Sequence, residues 1–358
     1  MSKLFEPITL GAIEAPNRVI MAPLTRGRST RNHVPSDFMH TYYSQRATAG
    51  LIISEGIGIS RQGLGWPSAP GIWSMNQVEA WRPIVEATHA AGGRIFAQLW
   101  HMGRVVHPSF IDGQAPVSSS HTLAPGEART DDGMRPYAPA EALTEDGIAG
   151  VIDDYRAAAR NAIEAGFDGV QLHAANGYLI DQFLRDGTNH RTDRYGGSVE
   201  KRVRLLAEVT TALAEEVGAD RTAVRISPND DAQGCVDSDP EQLFVAAATA
   251  LSDLNIAFVE LRAARPQSVF RPAVRQLVPA IRKAYEGPLV LNQDFGLDDA
   301  TEALSSGVAD AISYGRPFIA NPDLPRRLAI GAALNPADPA TFYTPGPLGY
   351  IDYPSMAN

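Results

Sequence analysis

The chain has 358 residues, of which 44% are hydrophobic and 20% charged, enough apolar material for two average domains or one large α/β barrel. Its formal net charge of −10 excludes nucleic acid as the main partner, because phosphate binding demands a basic face. A single cysteine, Cys235, excludes an intramolecular disulfide and a metal centre built from several thiolates, and its expected role is a buried structural thiol.

The first residues, Met1-Ser2-Lys3-Leu4-Phe5-Glu6-Pro7, lack the apolar stretch of a secretory signal. No apolar run approaches the ~20 residues that span a bilayer. The expectation is a cytoplasmic protein without membrane contact. Arg26, Arg28 and Arg31 cluster near the start and are expected to be solvated or locally paired.

Short apolar runs then alternate with stretches of helical period along the whole chain. The strand candidates are 18–22, 51–54, 94–99, 169–172, 223–227, 258–261, 289–292 and 311–314. Continuous apolar character is what strands covered on both faces show. Two intervening helices are plain in the sequence. Thr144 is a candidate N-cap, with Glu145 and Asp146 in the first turn and apolar groups from Ile148 to Ile163, and Gly166 stops the helix. Ser198 is a candidate cap for a helix carrying Val203, Leu206, Val209, Leu213 and Val217, closed by Gly218. Eight such units predict an α/β fold, a (β/α)₈ TIM barrel forming one domain over 1–358. Residues 101–143, rich in Gly, Pro, Ser and Thr, read as a loop and hairpin insertion capping the mouth. The tail from 335 is expected to pack on the surface.

Side chains at the C-terminal ends of barrel strands converge on one mouth. Those ends carry Pro23-Leu24-Thr25, Glu55-Gly56, Gln98-Leu99-Trp100-His101, His173, Arg225, Asn292-Gln293-Asp294-Phe295 and Gly315-Arg316. Loops after strands 7 and 8 of such barrels often bind phosphate; Gly315 permits close backbone approach and Arg316 can grip an anion bidentately. The turn leaving strand 4 places His173, Asn176 and Tyr178 together. Two hydrogen-bond donors and one weak acid there can hold a carbonyl oxygen and deliver a proton beside it.

The stretch from His173 to Leu184, followed by Asn189-His190-Arg191-Thr192-Asp193-Arg194-Tyr195-Gly196-Gly197-Ser198, resembles the old yellow enzyme family of FMN-dependent ene-reductases. Ala22-Pro23-Leu24-Thr25-Arg26, Gln98-Leu99-Trp100-His101-Met102-Gly103-Arg104 and Ala320-Asn321-Pro322-Asp323-Leu324 match the family pattern in the same order, so the resemblance covers nearly the whole chain. It implies non-covalent FMN with its phosphate near Arg316 and the strand 7 loop of Gln293, Asp294 and Phe295. By the same resemblance Arg225 faces the reduced ring's negative charge, Gln98 meets its pyrimidine edge and Thr25 donates to its other carbonyl. Pro23, Leu24 and Gly56 then offer backbone contacts and a close-packed surface beneath it. Threonine at 25 points to the branch typified by bacterial N-ethylmaleimide reductase.

The implied reaction has two stages. NAD(P)H reduces FMN, and an α,β-unsaturated ketone, aldehyde, imide or nitroalkene then takes hydride at its β-carbon, with Tyr178 protonating the α-carbon. His173 and Asn176 would hold the substrate's oxygen; many relatives carry two histidines here, and Asn176 departs from that while keeping a donor. Trp66, Trp100, Phe270 and Tyr343 are the expected apolar walls. No Gly-x-Gly-x-x-Gly between a strand and a helix implies a separate dinucleotide fold, and no metal-ligand spacing is present. A monomer or homodimer is expected. Two other readings fit the same fold: a flavin-free barrel acting on a phosphorylated substrate, and a barrel that only binds a ligand. The first wants an active lysine, yet Lys3, Lys201 and Lys283 all lie away from strand ends. The second leaves Gln98, His173, Tyr178 and Arg225 without a purpose.

Overall fold

A computed structural model describes residues 2–263 and 277–357. Eight parallel strands close into a barrel: β1 (Val19–Met21), β2 (Leu51–Gly58), β3 (Ile95–Trp100), β4 (Gly169–Ala174), β5 (Thr222–Ile226), β6 (Phe258–Arg262), β7 (Leu289–Asn292) and β8 (Ala311–Tyr314). Neighbours in sequence are neighbours in the barrel, and β8 pairs with β1 to complete it. Helices follow the strands on the outside, among them α1 (Phe38–Gln45), α2 (Met75–Ala90), α3 (Glu145–Glu164), α4 (Val199–Val217) and α5 (Pro240–Ser252). No helix among the described residues is long and apolar enough to cross a membrane.

The register sorts inward side chains into layers. Ile20, Leu51, Ile53, Phe96, Ala223, Phe258, Val290 and Ala311 form one apolar cluster toward the strand starts. An antiparallel hairpin, Ile8–Leu10 with Ile13–Ala15, adds Leu10, Ile13 and Ala15 to that cluster and closes the barrel from below. One residue pair further up, six of the strands turn the layer polar, with Gln98, Gln171, Arg225, Glu260, Asn292 and Ser313 all buried. The site therefore rests on a solid floor at the C-terminal ends of the strands.

The α3 cap forms as the sequence indicates, Thr144 Oγ1 accepting from Gly147 N at 3.0 Å. Ser198 stands at the α4 N-cap position, but its side chain makes no capping bond. Within 101–143 lies a short antiparallel hairpin, Glu127–Thr130 with Gly133–Pro136.

Two expectations are corrected here. Arg31 is exposed as expected, but Arg26 and Arg28 are not solvated: they are 1% and 4% exposed. Arg26 donates to the carbonyls of Phe342 and Gly349, and Arg28 to those of Thr341, Phe342 and Leu348. A guanidinium carries five donors, so two of them satisfy an irregular strand of backbone that has no ladder partner. The tail is correspondingly more than a surface strap. Tyr350 is fully buried and stacks on Tyr42 with ring centroids 4.1 Å apart.

Candidate active site

The turn after β4 is built around two residues with left-handed backbone, Asn176 (φ 59°) and Gly177 (φ 76°). A Cβ on Gly177 would lie 2.3 Å from the Ala232 carbonyl oxygen, so only glycine closes this turn. Asp181 Oδ2 accepts from Gly177 N at 2.8 Å, and Ser227 Oγ accepts from Asn176 N at 2.8 Å. Asp181 is in turn paired with Arg185 at 2.8 Å, both buried. The turn is thus fixed from below by an ion pair and from the side by β5.

His173 is 4% exposed. Burial lowers its pKa well below the usual imidazole value, with Arg225 and Arg262 adding to the effect. The ring is therefore neutral at physiological pH. Ala175 N donates to its Nδ1 at 3.4 Å, which puts the remaining proton on Nε2 and makes that nitrogen the donor. Asn176 is polarised in the same sense, because Arg262 Nη1 donates to its Oδ1 at 2.7 Å. Its Nδ2 amide is then the end available to donate. Tyr178 completes the group: its ring meets His173 and Trp100 edge-on, each with centroids 4.9 Å apart. Burial raises the Tyr178 phenol well above its ordinary value, so it holds its proton.

Beneath these residues the polar layer is continuous. Gln98 Nε2 donates to Gln171 Oε1 at 2.8 Å, and Gln171 Nε2 donates to Glu260 Oε2 at 2.9 Å. Ser313 Oγ donates to Glu260 Oε1 at 2.6 Å. Arg225 lies 3.2 Å from Glu260 and donates to Asn292 Oδ1 at 2.8 Å. Its pairing with a barrel carboxylate is thus real, yet the same guanidinium also lines the cavity above.

That cavity, about 300 Å³, brings together Pro23, Leu24, Arg225, Gln293, Asp294, Gly315 and Arg316, with Asn292 and Arg262 between them. Its lining includes a buried cation, Arg225, and the exposed guanidinium of Arg316, which is paired with Asp294. This donor set fits a group with a polar ring at one end and a phosphate at the other, which is what FMN presents.

Other sequence candidates lie around this core. Thr25 follows Leu24 and is partly buried, while Phe295 packs against the hydrophobic core. Gly56 has a visible steric role, since a Cβ there would meet the Trp100 indole at 2.6 Å. Trp66 and Tyr178 pack against one apolar cluster that includes Trp100. Tyr343, from the tail, packs edge-on to Trp66 at 5.3 Å, and Arg129 of the 127–136 hairpin lies over its ring at 5.2 Å. Phe270 lies outside the described residues. Sequence reasoning passed over Gln171, Glu260, Asp230 and Arg262. The available signal was a charged or amide residue inside an otherwise apolar strand, as in Phe258-Val259-Glu260-Leu261-Arg262.

Residues 3–335 match the model of the NADH:flavin oxidoreductase / NADH oxidase family. Among curated relatives, 12-oxophytodienoate reductase 1 of Oryza sativa subsp. japonica is 43% identical over 359 residues, covering 99% of this chain and 93% of the relative. The 12-oxophytodienoate reductase 2 of Arabidopsis thaliana is 42% identical over 360 residues, covering 99% and 96%. Among solved structures, the old yellow enzyme homologue from Zymomonas mobilis superposes with a TM-score of 0.97 at 58% identity, covering 99% of this chain and all of that one. Morphinone reductase gives a TM-score of 0.94 at 43% identity, covering 99% and 96%. With a closed eight-stranded barrel and a donor set suited to a flavin at its mouth, the chain belongs to the NADH:flavin oxidoreductase / NADH oxidase family, the old yellow enzymes.

Proposed function

We propose that this protein is an ene-reductase that reduces the C=C bond of α,β-unsaturated ketones, aldehydes, imides or nitroalkenes at the expense of NAD(P)H. The observation that carries the reading is the juxtaposition of His173, Asn176 and Tyr178 beside the Arg225–Arg316 cavity. FMN, where bound there, would supply the hydride-transfer chemistry linking the nicotinamide to the alkene β-carbon. Pro23, Leu24, Thr25, Gly56, Gln98, Arg225, the 293–295 loop, Gly315 and Arg316 are the residues proposed to hold it.

The protein's own part is electrostatic and acid–base. His173 Nε2–H and Asn176 Nδ2–H both donate toward one oxygen, drawing electron density out of the conjugated alkene. They stabilise the enolate-like charge that grows as the β-carbon is reduced, and preorganised donors in a dry site do this more strongly than water. Arg225 holds a fixed positive charge at the barrel centre, where an electron-rich ring is favoured. Tyr178 keeps its proton until a carbanion-like α-carbon develops next to it, then supplies it. Trp66, Trp100 and Tyr343 would exclude water, and the 101–143 insertion would cap the mouth.

The test is Tyr178→Phe, with the two half-reactions measured separately under anaerobic conditions. Reduction of the bound flavin by NADPH should remain within about twofold of the parent. Oxidation by 2-cyclohexenone should slow by roughly 10²–10⁴, the usual contribution of a general acid. Equal rates for variant and parent in both half-reactions would remove Tyr178 from the mechanism.

A further inference from the structure

Arg262, at the C-terminal end of β6, ties three loops of the mouth together. Its Nη1 donates to Asn176 Oδ1 at 2.7 Å, in the turn after β4. Its Nε donates to Gln293 Oε1 at 3.2 Å, after β7. Its guanidinium is also paired with the Asp230 carboxylate, after β5. The side chain is 26% exposed and lines the same cavity as Arg225 and Arg316.

A carboxamide has a donor end and an acceptor end of nearly the same size and shape. The Asn176 backbone is already immobile, held at φ 59° with its N–H on Ser227 Oγ. The remaining freedom is the flip of the side-chain amide, and the two flips have opposite consequences. With Nδ2 toward the cavity the residue attracts a carbonyl or nitro oxygen; with Oδ1 toward it, it repels the same atom and attracts a hydroxyl instead. A guanidinium can only donate, so its contact with Oδ1 breaks the tie.

We propose that Arg262 is a positioning residue for substrate binding: anchored by Asp230 and Gln293, it locks the Asn176 carboxamide with its NH2 end toward the substrate oxygen and so selects acceptor groups over donor groups. The proposal rests on the reading of Asn176 as an oxygen-binding donor. It implies a preference for ketone over the corresponding alcohol that resides in Arg262 as much as in Asn176.

The experiment titrates the FMN-loaded protein with two unreactive probes, cyclohexanone and cyclohexanol, following the flavin absorbance. Asn176→Ala and Arg262→Met should each weaken cyclohexanone binding about fivefold, the worth of one net hydrogen bond. The double variant should bind no more weakly than Asn176→Ala alone, because both changes remove the same contact. In Arg262→Met the freed amide can turn its oxygen to the alcohol, so the ketone-to-alcohol affinity ratio should fall at least fivefold. General loosening of the site would weaken both probes alike and leave the ratio unchanged. Arg262→Lys, which returns a single donor, should restore the ratio to within about twofold of the parent, the spread left by one donor hydrogen bond of variable geometry. An unchanged ratio in both Arg262 variants, or losses that multiply in the double variant, would overturn the proposal. Parent-like ketone binding in Asn176→Ala would overturn the reading of Asn176 itself, a result distinct from one in which Asn176→Ala weakens binding and Arg262→Met does not.

Discussion

Glu55 offers a prediction whose size follows from its surroundings. It lies within β2, 1% exposed, against the backbone of Arg26 and Gly27 that follows Thr25. One carboxylate oxygen accepts from the backbone N–H groups of Arg26 and Gly27, each at 3.3 Å. The other, Oε1, is buried with no hydrogen-bond partner. Burial therefore outweighs these contacts and the nearby guanidiniums, and the carboxyl is raised from 4.5 to about 7. A carboxyl raised in the folded state favours folding most at pH values where it is protonated in both states, below about 4.5. As pH climbs from there to about 7 the unfolded chain ionises first, and stability falls. At roughly 1.4 kcal/mol per pH unit the loss amounts to about 3 kcal/mol, complete above pH 7. Glu55→Gln keeps the shape without the titration. Urea unfolding followed by tryptophan fluorescence, with saturating FMN, should give similar stabilities for parent and variant at pH 4.5. By pH 8 the variant should be the more stable by about 3 kcal/mol. Parallel stability–pH curves for the two proteins would refute the argument.

Two further outcomes follow from burial elsewhere. Cys235 is 1% exposed and its thiol is pushed up to about 12; in the folded protein at pH 8 it should react with a disulfide reagent about 10³-fold more slowly than in urea, on thiolate fraction alone, and prompt labelling would place it elsewhere. Because His173 is held neutral well below its usual pKa and Tyr178 is held protonated well above its own, cyclohexanone binding to the oxidised enzyme should stay flat between about pH 6 and pH 9. A step near the ordinary histidine value of about 6.5 would contradict the assigned protonation of His173.

How much of this could be read beforehand depends on how far apart in sequence the partners lie. The eight strands and the His173–Tyr178 turn were legible because each is a local pattern, an apolar run or a contiguous motif. Thr144 as a cap belongs to the same class. Glu260 and Arg262 were not legible, because a charge inside a strand gains meaning only once the barrel sets β5 and β7 beside it. The Arg26 and Arg28 contacts lie 313–323 positions away along the chain, so a local charge cluster looked solvated when two of its members were binding carbonyls. Ser198 shows the opposite limit. A residue of the right type at the right place can still leave its capping bond unmade.

The most direct test is an anaerobic titration of the FMN-bound protein. One equivalent of NADPH should bleach the yellow flavin and one equivalent of 2-cyclohexenone should restore it, each compound competing with the other for the same cavity in steady state. A bleached protein whose colour the enone does not restore, or two compounds that bind together without competition, would contradict a single mouth serving both partners in turn.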